Sequence, residues 1–180
     1  MTQKEHEREV SCKTLPSLKI GAWNVRGCGS ESKRCVIAKV FEERSLDVLA
    51  VCETKLKGKG EVWFGNVRGW KSGVGGGHGR EGVALFLGDR LSECVTEIRE
   101  VSSRVMWVKI RFGGELWAFV SVYGPGSERS EEEREEFWGL LNETVECIVV
   151  VLGDLNARVG DDPIEGVIGN WGCQGGMKTV

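Results

Sequence analysis

The sequence predicts a mixed α/β fold. Three observations carry that expectation. The apolar run "LKIGAW" (18–23) is followed by helical spacing over 33–45 and a second apolar run, "DVLAVCE" (47–53). Strand, helix, strand in this order is the pattern of a parallel crossover. Further on, "RVMWVKIRF" and "ELWAFVSVY" are separated only by Gly113 and Gly114, which signals a β-hairpin. After that, a helical stretch leads into the apolar run "IVVVLG" (148–153).

Each element follows from its residues. Residues 1–17 have no periodicity and are expected to be a disordered tail. In "KRCVIAKVFEERS", Val36, Ile37, Val40 and Phe41 fall on one helical face. "GVALFL" (82–87) reads as a further strand. Beyond "GPGSERS" a helix of about four turns is predicted. Ser130 and Glu133 have the spacing of a capping box, and Glu131, Glu132 and Glu133 sit at the positive end of its dipole. Phe137, Leu140, Leu141 and Val145 supply its apolar face. These elements are expected to build hairpins and crossovers into one sheet system. The stretch from Pro163 to Val180 has no strong pattern.

Composition narrows the function. The chain has 180 residues, the size of one domain. Its formal net charge of -3 argues against tight, metal-free, nonspecific DNA binding. A bound metal and a local basic face could still serve a nucleic-acid enzyme. Seven cysteines, with no C-x-x-C pair, argue against zinc and against a disulfide framework. Cys52 and Cys147 lie in apolar runs and read as small core residues. A reducing compartment fits, so the protein is expected to be intracellular, nuclear or cytoplasmic, and not secreted. The N-terminus lacks the apolar core of a signal peptide, and no apolar run reaches membrane-spanning length.

Three strand ends share one chemistry. The first gives Asn24, the second gives Glu53, and the last gives Asp154 and Asn156 in "GDLN". Ligand sites in α/β sheets form beyond the carboxyl ends of strands. Hard oxygen donors of this kind suit Mg²⁺, which takes one or two carboxylates plus water and substrate phosphate. If strand geometry persists past Gly153, Asp154 and Asn156 share one side and Leu155 points to the core. Each residue alone has an ordinary explanation: Asp and Asn after a strand make Asx-turns, and a strand-end Glu is often a surface charge. The joint pattern points to a site.

Four motifs in order, "LKIGAWNVRG", "DVLAVCETK", "VSVYGPG" and "VVLGDLNARVG", resemble those of the endonuclease/exonuclease/phosphatase superfamily. Within it, the chain is most similar to the apurinic-type endonuclease domain of non-LTR retrotransposons and the craniofacial development protein 2-like group. The resemblance spans about Leu18 to Trp171 and implies a partial domain over 18–171, with a divergent tail at 172–180. It implies a two-sheet α/β sandwich, incomplete at the C-terminus. It also implies Mg²⁺-dependent hydrolysis of phosphate esters, with Mn²⁺ as a substitute, and DNA as the partner. By the same resemblance Glu53 and Asn24 are the metal residues, and Lys55 supports them. Tyr123 contacts the scissile phosphate, Asp154 aligns or deprotonates the attacking water, and Asn156 positions the same region.

Two departures matter. Arg26 stands where apurinic endonucleases often carry Asp; the retrotransposon branch commonly has Arg there, which implies a supporting or phosphate-binding role. A solvated surface charge explains it equally well. The family's later Asp-His half has no counterpart here: the only histidines are His6, in the N-terminal tail, and His78, in "GVGGGHGREG". That glycine loop also lacks the form of a P-loop. Missing strands would expose apolar faces and edges, so the chain is expected to be marginally stable or to lean on a partner. Three functional readings follow: a strand-nicking DNA endonuclease, a catalytically inactive remnant or binding module, and a phosphatase or phosphodiesterase acting on another substrate.

Overall fold

The first two apolar runs form β1 (Ile20–Asn24) and β2 (Val48–Cys52), joined by α1 (Glu31–Glu43). They pair in parallel, as the crossover pattern predicts. This computed structural model describes residues 17–76, 79–142 and 147–157. His6, His78, Val145 and both chain ends lie outside that set, Ser17 excepted.

A hairpin that the sequence reading passed over follows: β3 (Lys59–Phe64) and β4 (Val67–Ser72), turned by Gly65 and Asn66. Next come β5 (Val83–Leu87), the short helix α2 (Asp89–Ser92) and β6 (Val95–Glu100). The Gly-Gly hairpin forms as β7 (Val105–Phe112) and β8 (Glu115–Tyr123). Gly113 and Gly114 have φ of 61° and 86°, the two positive values that a type I′ turn requires. Finally α3 (Glu131–Asn142) leads to β9 (Ile148–Asp154), which pairs in parallel with β8. The Ser130 hydroxyl accepts the Glu133 backbone N–H at 3.3 Å, so the cap forms at the expected place.

The strands make two sheets rather than one. The first has the order β1-β2-β5-β4-β3 and the second β6-β7-β8-β9. Their inner faces meet in a single apolar layer, with Ala50 and Leu85 from one sheet against Met106, Val108 and Phe119 from the other. Helix α1 seals the outside of the first sheet with Ile37, Ala38 and Phe41. Phe137 of α3 seals the second over Val105, Trp107, Val120 and Val122. Strands β2 and β5 are therefore covered on both faces, which is why every residue in them is buried.

Two side-chain expectations fail. Val36 is 53% exposed: the buried face centres on Ile37 and Phe41 and takes Ala38 on its far flank instead. Cys147 is only half-buried, whereas Cys52 is in the core as expected.

Gly153 lets β9 deliver Asp154. Its φ is +142°, and an added Cβ would run into the backbone carbonyl of Val122 on the neighbouring strand. Gly113 also has positive φ but faces open space. We expect Gly153→Ala to destabilise the protein by about 2 kcal/mol or more and Gly113→Ala by about 1 kcal/mol. Paired thermal unfolding curves check this ordering; equal shifts would contradict it.

Candidate active site

The site forms where both parallel pairs end. Past β1 and β2 the chains stay zipped: the Val25, Gly27 and Cys28 N–H groups donate to the Cys52, Glu53 and Thr54 carbonyls at 3.1, 2.6 and 2.9 Å. Thr54 is fully buried, and its hydroxyl accepts the Leu56 N–H at 3.3 Å. These bonds hold Glu53 between two fixed neighbours. In the second sheet the Gly124 N–H donates to the Asp154 carbonyl at 2.8 Å, so the β8 and β9 ends are also tied.

Side chains then join the two sheets. The Asn24 amide donates to Asp154 Oδ2 at 2.9 Å, across 130 residues of sequence. Asn24 Oδ1 accepts the Arg26 N–H at 3.1 Å. Asp154 Oδ1 accepts the Asn156 N–H at 2.9 Å. The Asx-turn reading and the site reading of Asp154 are thus both realised, one by each carboxylate oxygen. The Asn156 amide donates to the Gly124 carbonyl at 2.6 Å. The Tyr123 hydroxyl donates to Glu53 Oε2 at 3.4 Å, and Lys55 Nζ lies 3.3 Å from Glu53 Oε1.

Six of the seven sequence-predicted residues therefore converge through their side chains: Asn24, Glu53, Lys55, Tyr123, Asp154 and Asn156. Arg26 joins by its backbone only, and the residue is exposed. Leu155 does not enter the core but is 37% exposed: Val150 and Leu152 are the β9 residues that pack inward, so Leu155 continues the outer row of Val149 and Val151.

Backbone strain marks the same place. Among the described residues, five non-glycine residues have positive φ, and four of them are Arg26, Glu53, Lys55 and Asn156. Such conformations cost on the order of 1–3 kcal/mol each and persist where the surroundings over-determine them.

Glu53, Lys55, Tyr123 and Asn156 face a cleft of about 430 Å³. The same cleft is walled by Arg80, Glu81, Arg104, Glu128 and Arg129, none of which the sequence motifs indicated. Four cations face three carboxylates there, so the cleft is locally more basic than the chain. Arg104 is the most heavily engaged. It pairs with Glu81 at 2.6 Å, donates to the Tyr123 and Gly124 carbonyls, and lies 5.5 Å from the centre of the Tyr123 ring. Neither residue follows a strand; both precede one, where no motif draws attention.

Two facing sheets with a polar cleft at their shared carboxyl end define the endonuclease/exonuclease/phosphatase fold. In sequence the chain is 28% identical over 167 residues to craniofacial development protein 2 of Bos taurus, covering 89% of this chain and 27% of that protein. The chain thus spans about a quarter of the length of the curated relatives it matches. An AP endonuclease from Archaeoglobus fulgidus superposes with a TM-score of 0.57 at 22% identity, covering 79% of this chain and 58% of that one. The endonuclease domain of TRAS1, a telomere-specific non-LTR retrotransposon, gives 0.57 at 16%, with coverage of 79% and 61%. No family model matches the chain.

Burial, followed by the charge of Glu53, pushes the Tyr123 phenol above its ordinary value of 10.0, while Asn156 and Arg104 pull it back. Tyr123 is the only tyrosine in the chain, so the near-ultraviolet absorbance change on phenolate formation reports it alone, over a constant background from seven tryptophans. In metal-free protein its titration should be centred above pH 10, leaving the phenol protonated at neutral pH. Glu53→Gln removes a negative neighbour and should move the midpoint down. An unmoved midpoint would show that the two groups do not interact.

Proposed function

We propose that this chain hydrolyses phosphodiesters in a metal-dependent reaction, as a strand-nicking DNA endonuclease of retrotransposon type. The observation that carries the reading is the Asn24–Asp154 bond, which brings the ends of two separate sheets into one polar site beside Glu53 and Tyr123.

The donor set fits Mg²⁺ in its economical form. Among the described residues no group of three or more His, Cys, Asp and Glu side chains is arranged for a metal. Mg²⁺ needs only one or two carboxylates when waters and a substrate phosphate complete its shell. Glu53 meets that need: among the described residues its carboxylate oxygens make only long contacts, at 3.3 and 3.4 Å, and retain free lone pairs. Asn24 Oδ1 is the second oxygen donor. A bound Mg²⁺ would supply Lewis acidity and charge neutralisation at the phosphate.

The chain's own groups do the rest. Asp154 is oriented by two donors, Asn24 Nδ2 and the Asn156 N–H, and accepts a proton from the attacking water. Tyr123, kept protonated, donates to a phosphate oxygen. Asn156 fixes the Gly124 carbonyl and steadies the backbone after Tyr123. Phosphoryl transfer depends mainly on positioning and charge stabilisation, which these contacts provide. DNA is the preferred substrate because the relatives include an AP endonuclease and a retrotransposon endonuclease domain. The described helices include none long and apolar enough to cross a membrane.

The test is nicking of supercoiled plasmid with Mg²⁺ and with EDTA. Nicking should require Mg²⁺, and Asp154→Ala should lower its rate by about 100-fold or more. A folded protein that nicks nothing would favour the inactive or binding-module reading. Turnover of a soluble phosphoinositide without nicking would keep the chemistry and replace the substrate.

A further inference from the structure

We propose that Glu81 and Arg104 are positioning residues that set the placement of Tyr123 against Glu53 across the seam between the two sheets. The inference rests on the phosphodiesterase reading above for its effect on rate, and on geometry for the placement itself.

The contacts form a closed circuit. The Glu81 backbone carbonyl accepts the Lys55 N–H at 2.9 Å, on the chain just past Glu53. The Glu81 carboxylate accepts Arg104 Nη2 at 2.6 Å and, on its other oxygen, the Ser103 hydroxyl. Arg104 Nη1 donates to the Tyr123 carbonyl at 3.1 Å and the Gly124 carbonyl at 3.2 Å. The Tyr123 N–H donates to the Arg104 carbonyl at 2.9 Å, so Arg104 holds Tyr123 from both ends of its own residue. Tyr123 returns to Glu53 through its hydroxyl. Glu81 thus touches the first-sheet half of the site, Arg104 touches the second-sheet half, and their ion pair is the link.

Both side chains are largely withdrawn from water, 17% exposed for Arg104 and 20% for Glu81. At that burial a charge-assisted pair is rigid, and losing one partner leaves the other charge stranded. The arrangement calls for arginine. Its planar fork reaches a carboxylate with one nitrogen and two carbonyls with the other, whereas lysine presents a single point charge. Three of its five N–H donors are engaged by protein acceptors, and these bonds run to Glu81, Tyr123 and Gly124, the geometry of a support.

The experiment uses the full chain and four variants: Arg104→Lys, Glu81→Gln, Tyr123→Phe, and Arg104→Lys with Tyr123→Phe. Plasmid nicking in Mg²⁺ gives kcat and KM. Fluorotyrosine at the single tyrosine gives one ¹⁹F resonance that needs no activity. With melting temperatures within about 4 °C of the parent, Arg104→Lys should lower kcat by about tenfold or more while KM stays within about twofold. In the Tyr123→Phe background the same substitution should cost nothing further, since its effect passes through Tyr123. The fluorine line should move towards the free-amino-acid position in both Arg104→Lys and Glu81→Gln. If Arg104→Lys does not fold, Glu81→Gln carries the test, because it removes the charge and keeps one acceptor oxygen for Arg104. A raised KM at unchanged kcat, additive losses, or an unmoved fluorine line would each overturn the proposal. A parent protein that does not nick defeats the functional reading alone; the fluorine line still decides the placement.

Discussion

One apolar layer between two sheets makes the site possible. Fully burying a side chain such as Leu85, Met106 or Phe119 stabilises by roughly 1.5–3 kcal/mol. The Asn24–Asp154 hydrogen bond that joins the sheets at the site is worth about 1 kcal/mol net. The layer therefore sets the spacing, and the polar bridge forms because the layer has already brought the edges together. The same layer supports four residues in left-handed conformations around the site, three of which line the cleft and which isolated loops would not sustain.

Direction matters as much as packing. Strands β1 and β2 run in parallel, as do β8 and β9, and both pairs end on the same side of the molecule. Their carboxyl ends deliver Asn24, Glu53, Tyr123 and Asp154 to one place. Arg104 and Glu81 arrive there from the opposite direction, at the beginnings of antiparallel strands. The cleft is thus built from strand ends and strand starts, the ends carrying the polar chemistry and the starts carrying the ion pair beneath it.

The central elements were legible in the sequence because they are apolar and well punctuated. Gly113 and Gly114 announced their hairpin, and Ser130 with Glu133 announced the start of α3. Two of the three unread strands, β3 and β6, lie at sheet edges, and in all three charged residues interrupt the apolar pattern, as Arg68 and Lys71 do in β4. In "KGEVWF" Lys59, Glu61 and Trp63 are exposed, so the run does not look apolar, although Gly65 and Asn66 were a usable turn signal. In "VTEIRE" only Val95 and Ile98 pack on the core. The polar strand ends were legible because a carboxylate or amide after an apolar run is conspicuous. Glu81 and Arg104 were not, because an ion pair between residues 23 apart leaves no local pattern. Leu155 was misread because alternation does not say which row of β9 faces inward: Val150 and Leu152 pack on the core, which leaves Val149, Val151 and Leu155 outside.

The distance in sequence between the two halves has a consequence for synthesis. Asn24 and Asp154 are 130 residues apart, and Glu53 and Tyr123 are 70 apart. At roughly 5–20 residues per second, Asn24 leaves the ribosome many seconds before its partner exists. During that interval β1 is an edge strand of the first sheet with nothing facing it from β9. Contacts of such long range are also the slow ones to form. A nascent chain therefore carries the earlier polar residues without the later ones, and the assembled cleft belongs only to a chain translated past Asn156.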